Sequence, residues 1–294
     1  MTPRLGYALV TPARNEARNL GRLAACLLLQ TVPPREWIIV ENGSSDRTPE
    51  VAAALAADHA WIRVVHHEEP QEAVRGGAIV RAFGAGVAAL TAEPDVIVNL
   101  DADVSFDSDF FERLLAHFEA EPTLGIASGT GFELEHGEWR ERFVTRTTVW
   151  GAIRAYRWAC FEAISPLEER LGWDGLDELT AVVRGWDART LRDLPFRHHR
   201  RVGERDVSTR ATWIAEGRLA HYMHYRFGYL FVRSLFHATR HRRPAALGMV
   251  WGYGSAALHR EPRWADDEAA AHLRDLQRLR ALPVRAREAL GRRA

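Results

Sequence analysis

Apolar and polar positions alternate in blocks along the first hundred residues. Short apolar runs lie at residues 7–10, 37–40, 62–65 and 96–100. Stretches with apolar residues at helical spacing lie between them, at residues 17–30, 48–57 and 78–90. The short runs predict buried strands and the longer periodic stretches predict helices. This strict alternation of strand and helix indicates an α/β domain with a parallel sheet and helices on its faces.

The pattern changes after residue 104. Residues 106–119 have the periodicity of an amphipathic helix, and residues 124–128 fit a fifth strand. From residue 209 the chain is helical in pattern, with aromatic side chains interleaved with arginine and histidine. The uncharged stretch at residues 244–258 is shorter than the roughly 20 apolar residues that a transmembrane helix needs. No secretory signal is visible at the N-terminus, so we expect a cytoplasmic protein.

The formal net charge is zero, but the charges are unevenly distributed. Residues 1–199 contain 20 arginines and 30 acidic residues, whereas residues 200–294 contain 19 arginines and 9 acidic residues. Such asymmetry suggests that the C-terminal part meets an anionic partner. Because no nucleic-acid-binding motif accompanies the positive charge, we expect no nucleic-acid partner.

Polar and acidic segments follow three of the predicted strands. They are residues 11–16, 41–46 and 101–103. In open α/β sheets ligands bind beyond the carboxyl ends of the strands, so these segments mark a candidate site. Each alone also fits a turn, and Ser44, Ser45 and Asp46 could simply cap the helix that begins near Thr48.

Asp101 and Asp103 are harder to explain as a turn. Two carboxylates at the end of a buried strand repel each other unless a cation lies between them. Carboxylate oxygens are hard ligands that suit Mg²⁺ or Mn²⁺, ions that also bind phosphate oxygens. The pair therefore predicts a divalent metal site beside a phosphate.

Three motifs resemble the signatures of the family 2 glycosyltransferases. They are Leu9-Val10-Thr11-Pro12-Ala13-Arg14-Asn15-Glu16, Ile39-Val40-Glu41-Asn42-Gly43-Ser44-Ser45-Asp46-Arg47-Thr48 and Asp101-Ala102-Asp103. The resemblance implies the GT-A fold, which is Rossmann-like with a mostly parallel central sheet flanked by helices. It also implies metal-dependent transfer of a sugar from a nucleotide-diphosphate donor to an acceptor hydroxyl, with inversion.

With this resemblance we expect a catalytic GT-A domain over residues 1–205. Residues 1–104 would be its nucleotide-sugar half and residues 105–205 its acceptor half. Residues 206–294 would form a basic, aromatic helical extension. Its aromatic and basic character suits peripheral contact with an anionic membrane, and packing as an ordinary helical subdomain is the alternative.

The resemblance also implies donor-binding residues. Thr11, Ala13 and Glu16 occupy positions that contact the nucleoside, and Asp46 and Asp101 complete the nucleotide-sugar set. Glu41 and Asn42 stand where the family usually has two aspartates, and an amide both donates and accepts, so the base stays open. Arg75 and Gly77 match a segment beside the donor phosphates, although a solvated arginine at a helix start is equally consistent with Arg75.

Three acids at the start of a predicted helix are the candidate catalytic residues. Inverting transfer needs a base that deprotonates the acceptor hydroxyl. Asp174, Asp177 and Glu178 share one helix face, and the resemblance favours Asp177 as the base, then Asp174, with Glu178 in support. Acids at a helix N-terminus also complement the helix dipole, which is the structural alternative.

A histidine and arginine cluster follows. Adjacent histidines on a strand point to opposite faces, so at most one of His198 and His199 would reach the metal. Arg200 and Arg201 could steady the departing diphosphate, which gains charge as the sugar leaves. A solvated basic loop would account for the same residues.

We expect the acceptor to be a glycan or a lipid-linked molecule in cell-envelope or surface glycan synthesis. A nucleotidyltransferase of the same fold would need a glycine-rich loop after the first strand, and residues 11–16 contain no glycine. A non-catalytic homologue that only binds a nucleotide sugar or a membrane is the remaining alternative. The Glu41-Asn42 departure favours it, whereas the intact Asp101-Ala102-Asp103 motif and the acid cluster oppose it.

Overall fold

The chain forms two compact units, Met1–Arg201 and Val202–Ala294. A computed structural model describes residues 5–68, 76–135, 137–142, 148–200, 210–240 and 243–278. Of the predicted site residues, Arg75 and Arg201 lie outside this described part.

Nine strands form one sheet in the described part of the first unit. They are β1 (Tyr7–Ala13), β2 (Glu36–Glu41), β3 (Ile62–His66), β4 (Val96–Leu100), β5 (Val104–Phe106), β6 (Leu124–Glu135), β7 (Glu138–Glu141), β8 (Ile153–Arg157) and β9 (Asp187–His198). The order across the sheet is β3-β2-β1-β4-β8-β6-β9-β5, with β7 paired to β6. The first four are mutually parallel, β6 and β9 are parallel, and the other pairs are antiparallel.

Six helices accompany this sheet in the described residues. They are α1 (Ala17–Leu28), α2 (Thr48–Asp58), α3 (Gly77–Ala88), α4 (Phe110–Ala120), α5 (Trp158–Ile164) and α6 (Trp173–Val183). Alternate residues of a strand point to opposite faces, and β1 shows the consequence. Its Leu9 packs with Leu20 of α1 in one core cluster, whereas Val10 packs with Phe83 of α3 in the other.

The α/β fold with a mostly parallel sheet is confirmed, and the largest differences fall after residue 100. Residues 104–106 form β5, and helix α4 begins only at Phe110 rather than at residue 106. Strand β6 extends to Glu135, beyond the predicted 124–128, and β8 was not predicted as a strand. These elements depend on pairing between distant segments, such as Phe106 with Phe196, which local periodicity does not reveal.

The second unit is helical in its described part. Its elements are α7 (Arg210–Tyr222), α8 (Phe227–Arg240), a short 3₁₀ helix (Pro244–Leu247), α9 (Gly248–Leu258) and α10 (Asp267–Leu276). Helices α7 and α9 cross closely because a Cβ at Gly217 would collide with the Met249 carbonyl and one at Gly252 with the Ile214 carbonyl. None of the helices in the described residues combines the length and the hydropathy that a membrane span requires.

Candidate active site

The predicted polar segments converge at the carboxyl edge of the parallel strands. Strand β1 pairs with β2 on one side and with β4 on the other, so the three segments that follow them are neighbours. The Asn42 N–H donates to the Ala13 carbonyl at 3.0 Å, and the Asp101 N–H donates to the Ala152 carbonyl at 2.8 Å. The first bond fixes Asn42 against the end of β1, and the second fixes Asp101 against the residue just before β8.

Asp101, Asp103 and His198 form a group that could hold a metal ion. One ligand atom from each lies within 4.8 Å of the other two. The group forms because β5, which directly follows Asp103, pairs antiparallel with the end of β9. The Nε2 atom of His198 lies 3.3 Å from Oδ1 of Asp103, and both side chains are nearly fully buried.

The charge on this group favours a cation. Burial and the neighbouring Asp103 carboxylate raise the pKa of Asp101 to about 7. Burial acts in the same direction on Asp103, but His198 and Arg200 hold the pKa of Asp103 below its ordinary value. Two carboxylates and one imidazole in a confined space are a donor set that fits Mg²⁺ or Mn²⁺.

The two adjacent histidines face opposite sides of β9, as the strand geometry requires. His198 faces the aspartates, whereas Nε2 of His199 lies 2.7 Å from the Ser105 hydroxyl and its ring meets the Trp139 ring edge-on. Burial lowers the pKa of His199 to about 4. His199 therefore lies outside the candidate metal group, and of the two histidines it is His198 that lies beside the aspartates.

Arg200 connects two of the predicted segments. Its Nη2 atom lies 2.9 Å from each oxygen of Glu16, and its Nη1 atom lies 3.2 Å from Oδ2 of Asp103. This cation thus stands between an acid from the β1 terminus and an acid of the metal group.

Glu41 and Asn42 are buried at the end of β2. The Glu41 carboxylate accepts from the Ser44 N–H at 2.6 Å and lies 3.4 Å from Nδ1 of His66. Burial raises the pKa of Glu41, but these two partners lower it below its ordinary value. In the described part of the chain, the Asn42 side-chain oxygen is buried without a hydrogen-bond partner. An unmatched buried acceptor is costly, so Asn42 is the better candidate for a ligand contact.

Four of the predicted donor residues make contacts within the protein. Thr11 and Ala13 are fully buried, and the Thr11 hydroxyl accepts from the Trp37 ring nitrogen at 2.9 Å. Asp46 accepts from the main chains of Thr48 and Ala17, so it ties the starts of α1 and α2 together. At Gly77 a Cβ would lie 2.7 Å from the Glu169 carbonyl, so this glycine permits close main-chain packing. Sequence position alone could not separate such contacts from ligand contacts.

The acid cluster begins at the start of α6, as predicted, but its three members differ. Asp177 is buried, with one oxygen 2.5 Å from Nη2 of Arg154 and the other 2.6 Å from the Tyr156 hydroxyl. Glu178 accepts from the Val149 N–H at 2.7 Å and lies 3.2 Å from Arg154. Burial raises the pKa of Glu178 to about 8.

Asp174 is the accessible acid of the three. It is half-buried, and its carboxylate has no hydrogen-bond or ion-pair partner among the described residues. A Cβ at Gly151 would lie 3.8 Å from its Oδ2 atom. Because the next residue, Ala152, bonds the main chain of Asp101, the Asp174 carboxylate lies beside the segment that borders the metal group.

Arg154 holds this arrangement together, and it was not among the predicted site residues. It is fully buried on β8 and donates to the main-chain oxygens of Val149 and Asp174 at 2.8 and 2.6 Å as well as to the two buried acids. Burial by itself would lower the pKa of Arg154, but Asp177, Tyr156 and Glu178 raise it well above its ordinary value. An arginine inside the apolar run 152–156 was the sequence signal for a buried acidic partner.

A mostly parallel sheet whose carboxyl edge carries an Asp-x-Asp group agrees with the GT-A glycosyltransferase fold that the sequence motifs resemble. The Glycosyl transferase family 2 model matches residues 8–164, more than half of the chain. The chain therefore belongs to glycosyl transferase family 2.

Curated relatives include a protein named as a glycosyltransferase and one named as a succinoglycan biosynthesis protein. The chain is 37% identical over 113 residues to glycosyltransferase AglD of Haloferax volcanii, a match to 37% of this chain and 17% of AglD. It is 31% identical over 108 residues to the succinoglycan biosynthesis protein ExoA of Rhizobium meliloti, which matches 36% of this chain and 31% of ExoA. The chain thus matches less than half the length of either relative.

Solved structures agree on the fold. The mannosyltransferase PcManGT from Pyrobaculum calidifontis, in complex with GDP-Man and Mn²⁺, has a TM-score of 0.54 at 20% identity. That match covers 99% of this chain and 80% of PcManGT. TarS 1-349 of S. aureus in complex with UDP-GlcNAc has a TM-score of 0.56 at 15% identity, covering 74% of this chain and 66% of TarS.

Proposed function

We propose that this glycosyltransferase moves a sugar from a nucleotide-diphosphate donor to an acceptor hydroxyl with inversion, in a reaction that needs Mg²⁺ or Mn²⁺. The observation that carries the proposal is the Asp101, Asp103 and His198 group, together with an acid, Asp174, whose carboxylate lies against Gly151, the neighbour of the residue that bonds Asp101. A leaving-group site and a base are the two elements that a single displacement requires.

Glu41 and Asn42 would bind the nucleoside at the end of β2. The unmatched Asn42 oxygen accepts from a base N–H, and its amide donates to a base carbonyl. Both uracil and guanine offer that pair of groups. The structures with GDP-Man and UDP-GlcNAc are therefore both useful guides to the donors to be screened.

Asp101, Asp103 and His198 would hold the divalent cation. When bound, the cation neutralises the diphosphate and makes it a better leaving group. Arg200 would support the same diphosphate, since its guanidinium already lies between Glu16 and Asp103 and carries a permanent charge.

Asp174 is our candidate for the base, which reverses the order that the sequence suggested. Both oxygens of Asp177 are engaged by Arg154 and Tyr156 inside the core, so an acceptor hydroxyl has no access to them. Asp174 has a free carboxylate on the first turn of the same helix. Attack assisted by one base on the face opposite the leaving diphosphate inverts the anomeric centre.

The acceptor is proposed to be a glycan or lipid-linked molecule at the cytoplasmic face of the membrane, in cell-envelope or surface glycan synthesis. Exposed apolar side chains on the second unit support a peripheral membrane contact. They are Phe227, Phe231, Val232 and Leu235 on α8, Leu247 on the 3₁₀ helix, and Trp251 and Leu258 on α9. Aromatic and aliphatic side chains in a basic region suit the interface of an anionic bilayer.

The deciding experiment is a screen of nucleotide sugars with purified protein and Mn²⁺. Release of nucleoside diphosphate is followed with and without membrane extract as the acceptor source, and Asp101→Asn and Asp174→Asn serve as inactive controls. Donor-dependent release that both substitutions abolish supports the proposal. Donor binding without turnover in any of these mixtures would favour the non-catalytic alternative.

A further inference from the structure

The two ring nitrogens of His198 face two different acids. Nε2 lies 3.3 Å from Oδ1 of Asp103, and Nδ1 lies 3.6 Å from Oε1 of Glu133. Nδ1 is buried and makes no hydrogen bond in the described part of the chain. A histidine that binds a metal through one nitrogen carries its proton on the other, and that N–H needs an acceptor. Glu133 is the acid within reach of that proton.

The sheet fixes Glu133 relative to His198. The two residues are direct neighbours in the parallel pairing of β6 and β9, and Glu133 is only 3% exposed. Its other oxygen lies 3.2 Å from Nη1 of Arg142, whose side chain is 44% exposed. Trp150 meets the imidazole at a steep angle, with ring centres 6.2 Å apart. The ring is thus held from one side by an aromatic residue and faces a buried carboxylate on another.

We propose that Glu133 is a positioning residue for the metal site, accepting from Nδ1–H of His198 so that Nε2 faces Asp101 and Asp103. A carboxylate in this place fixes the tautomer, fixes the ring orientation and makes the liganding nitrogen a stronger donor. The inference rests on the metal site of the proposed function. The competing explanation is that Glu133 only neutralises Arg142.

The test measures binding of Mn²⁺ alone to the full chain, by electron paramagnetic resonance of the free ion. Glu133→Ala is expected to raise the Kd for Mn²⁺ by about 10- to 100-fold, the usual effect of losing such a partner. Glu133→Gln is expected to raise it less, because the amide oxygen still accepts from Nδ1–H. Asp193→Asn is the matched control, since Asp193 lies on β9 like His198 but its carboxylate lies 3.0 Å from Nε2 of His117 on α4.

Fitting the Kd and the number of sites separately distinguishes positioning from folding, because a misfolded fraction lowers the number of sites and leaves the Kd unchanged. A raised Kd in both Glu133 variants, with Asp193→Asn like the wild type, supports the proposal. A Kd within twofold of wild type in both variants overturns it. If Asp101→Asn loses the Mn²⁺ site in the same experiment, the assignment of the metal group still stands. A wild-type chain without a Mn²⁺ site would overturn both the metal part of the proposed function and this inference.

Discussion

Arg154 and Asp177 form a fully buried bidentate ion pair. Nε of Arg154 lies 2.9 Å from Oδ2 of Asp177, and Nη2 lies 2.5 Å from Oδ1. The side chains are 0% and 1% exposed. Because Arg154 also binds the main-chain oxygen of Asp174, the pair anchors the first turn of α6 to β8. Asp174 is the acid of the three whose carboxylate makes no hydrogen bond to another described residue.

Asp177→Asn should therefore reduce stability strongly. The substitution removes the carboxylate that pairs with the buried Arg154 through both of its oxygens and leaves Glu178 as the remaining acidic partner. Breaking a buried pair in this way costs about 3–5 kcal/mol. The midpoint of urea unfolding is the measurement. Glu138→Gln is the control, since Glu138 pairs with Arg140 on the surface, where such a pair contributes about 0–1 kcal/mol. Equal losses in the two variants would contradict the assignment of Asp177 to the core.

Asp174→Asn should reduce activity and leave stability nearly unchanged. We expect a loss of transfer of about 10²- to 10⁴-fold, the usual contribution of a general base. The unfolding midpoint and the affinity for the donor should stay close to wild type, because the carboxylate has no partner to lose in the described part of the chain. Activity near the wild-type level would mean that another group deprotonates the acceptor.

Asn42 should control binding of the nucleoside. Asn42→Leu removes the donor and the acceptor, and the two lost hydrogen bonds together cost about 1–3 kcal/mol, which corresponds to a roughly 5- to 150-fold weaker Kd. Isothermal titration with UDP and with GDP measures the change. Thr123→Val is the control, since Thr123 is exposed and its hydroxyl donates to Asp187 just before β6 begins. Unchanged affinity for both nucleotides would exclude Asn42 from the nucleoside site.

Glu178 should make stability dependent on pH. Burial raises its pKa from 4.5 to about 8, so in that interval the folded chain holds a proton that the unfolded chain has released. The free energy of unfolding therefore falls as the pH rises from about 4.5 to about 8. Glu178→Gln should flatten this fall in urea midpoints measured from pH 5 to pH 8. Parallel curves for wild type and variant would refute the assignment.

The apolar side chains of α8 and α9 should mediate binding to anionic vesicles. Phe231 is 48% exposed and Trp251 is 66% exposed. The wild type should float with vesicles that contain phosphatidylglycerol, and the double variant Phe231→Ser, Trp251→Ser should float less. Leu29→Ser is the control, because Leu29 is 72% exposed but belongs to the first unit. Equal flotation of all three proteins would leave no role for this surface.

The sequence by itself determined the strand and helix order of the first hundred residues and the edge of the sheet where the site lies. Periodicity reports which side of an element is buried, and the carboxyl ends of parallel strands must meet at one edge. The Asp101-Ala102-Asp103 motif therefore predicted a metal site at this edge from the sequence alone. Strand geometry also predicted that at most one of the adjacent His198 and His199 could reach the metal.

Only the tertiary structure decided which polar residues are available. Thr11 and Asp177 carry plausible chemistry in the sequence, yet the first bonds Trp37 and the second bonds Arg154 inside the core. Arg200 meets Glu16 across 184 residues of chain. Burial and pairing depend on such distant neighbours, which a local sequence pattern does not reveal.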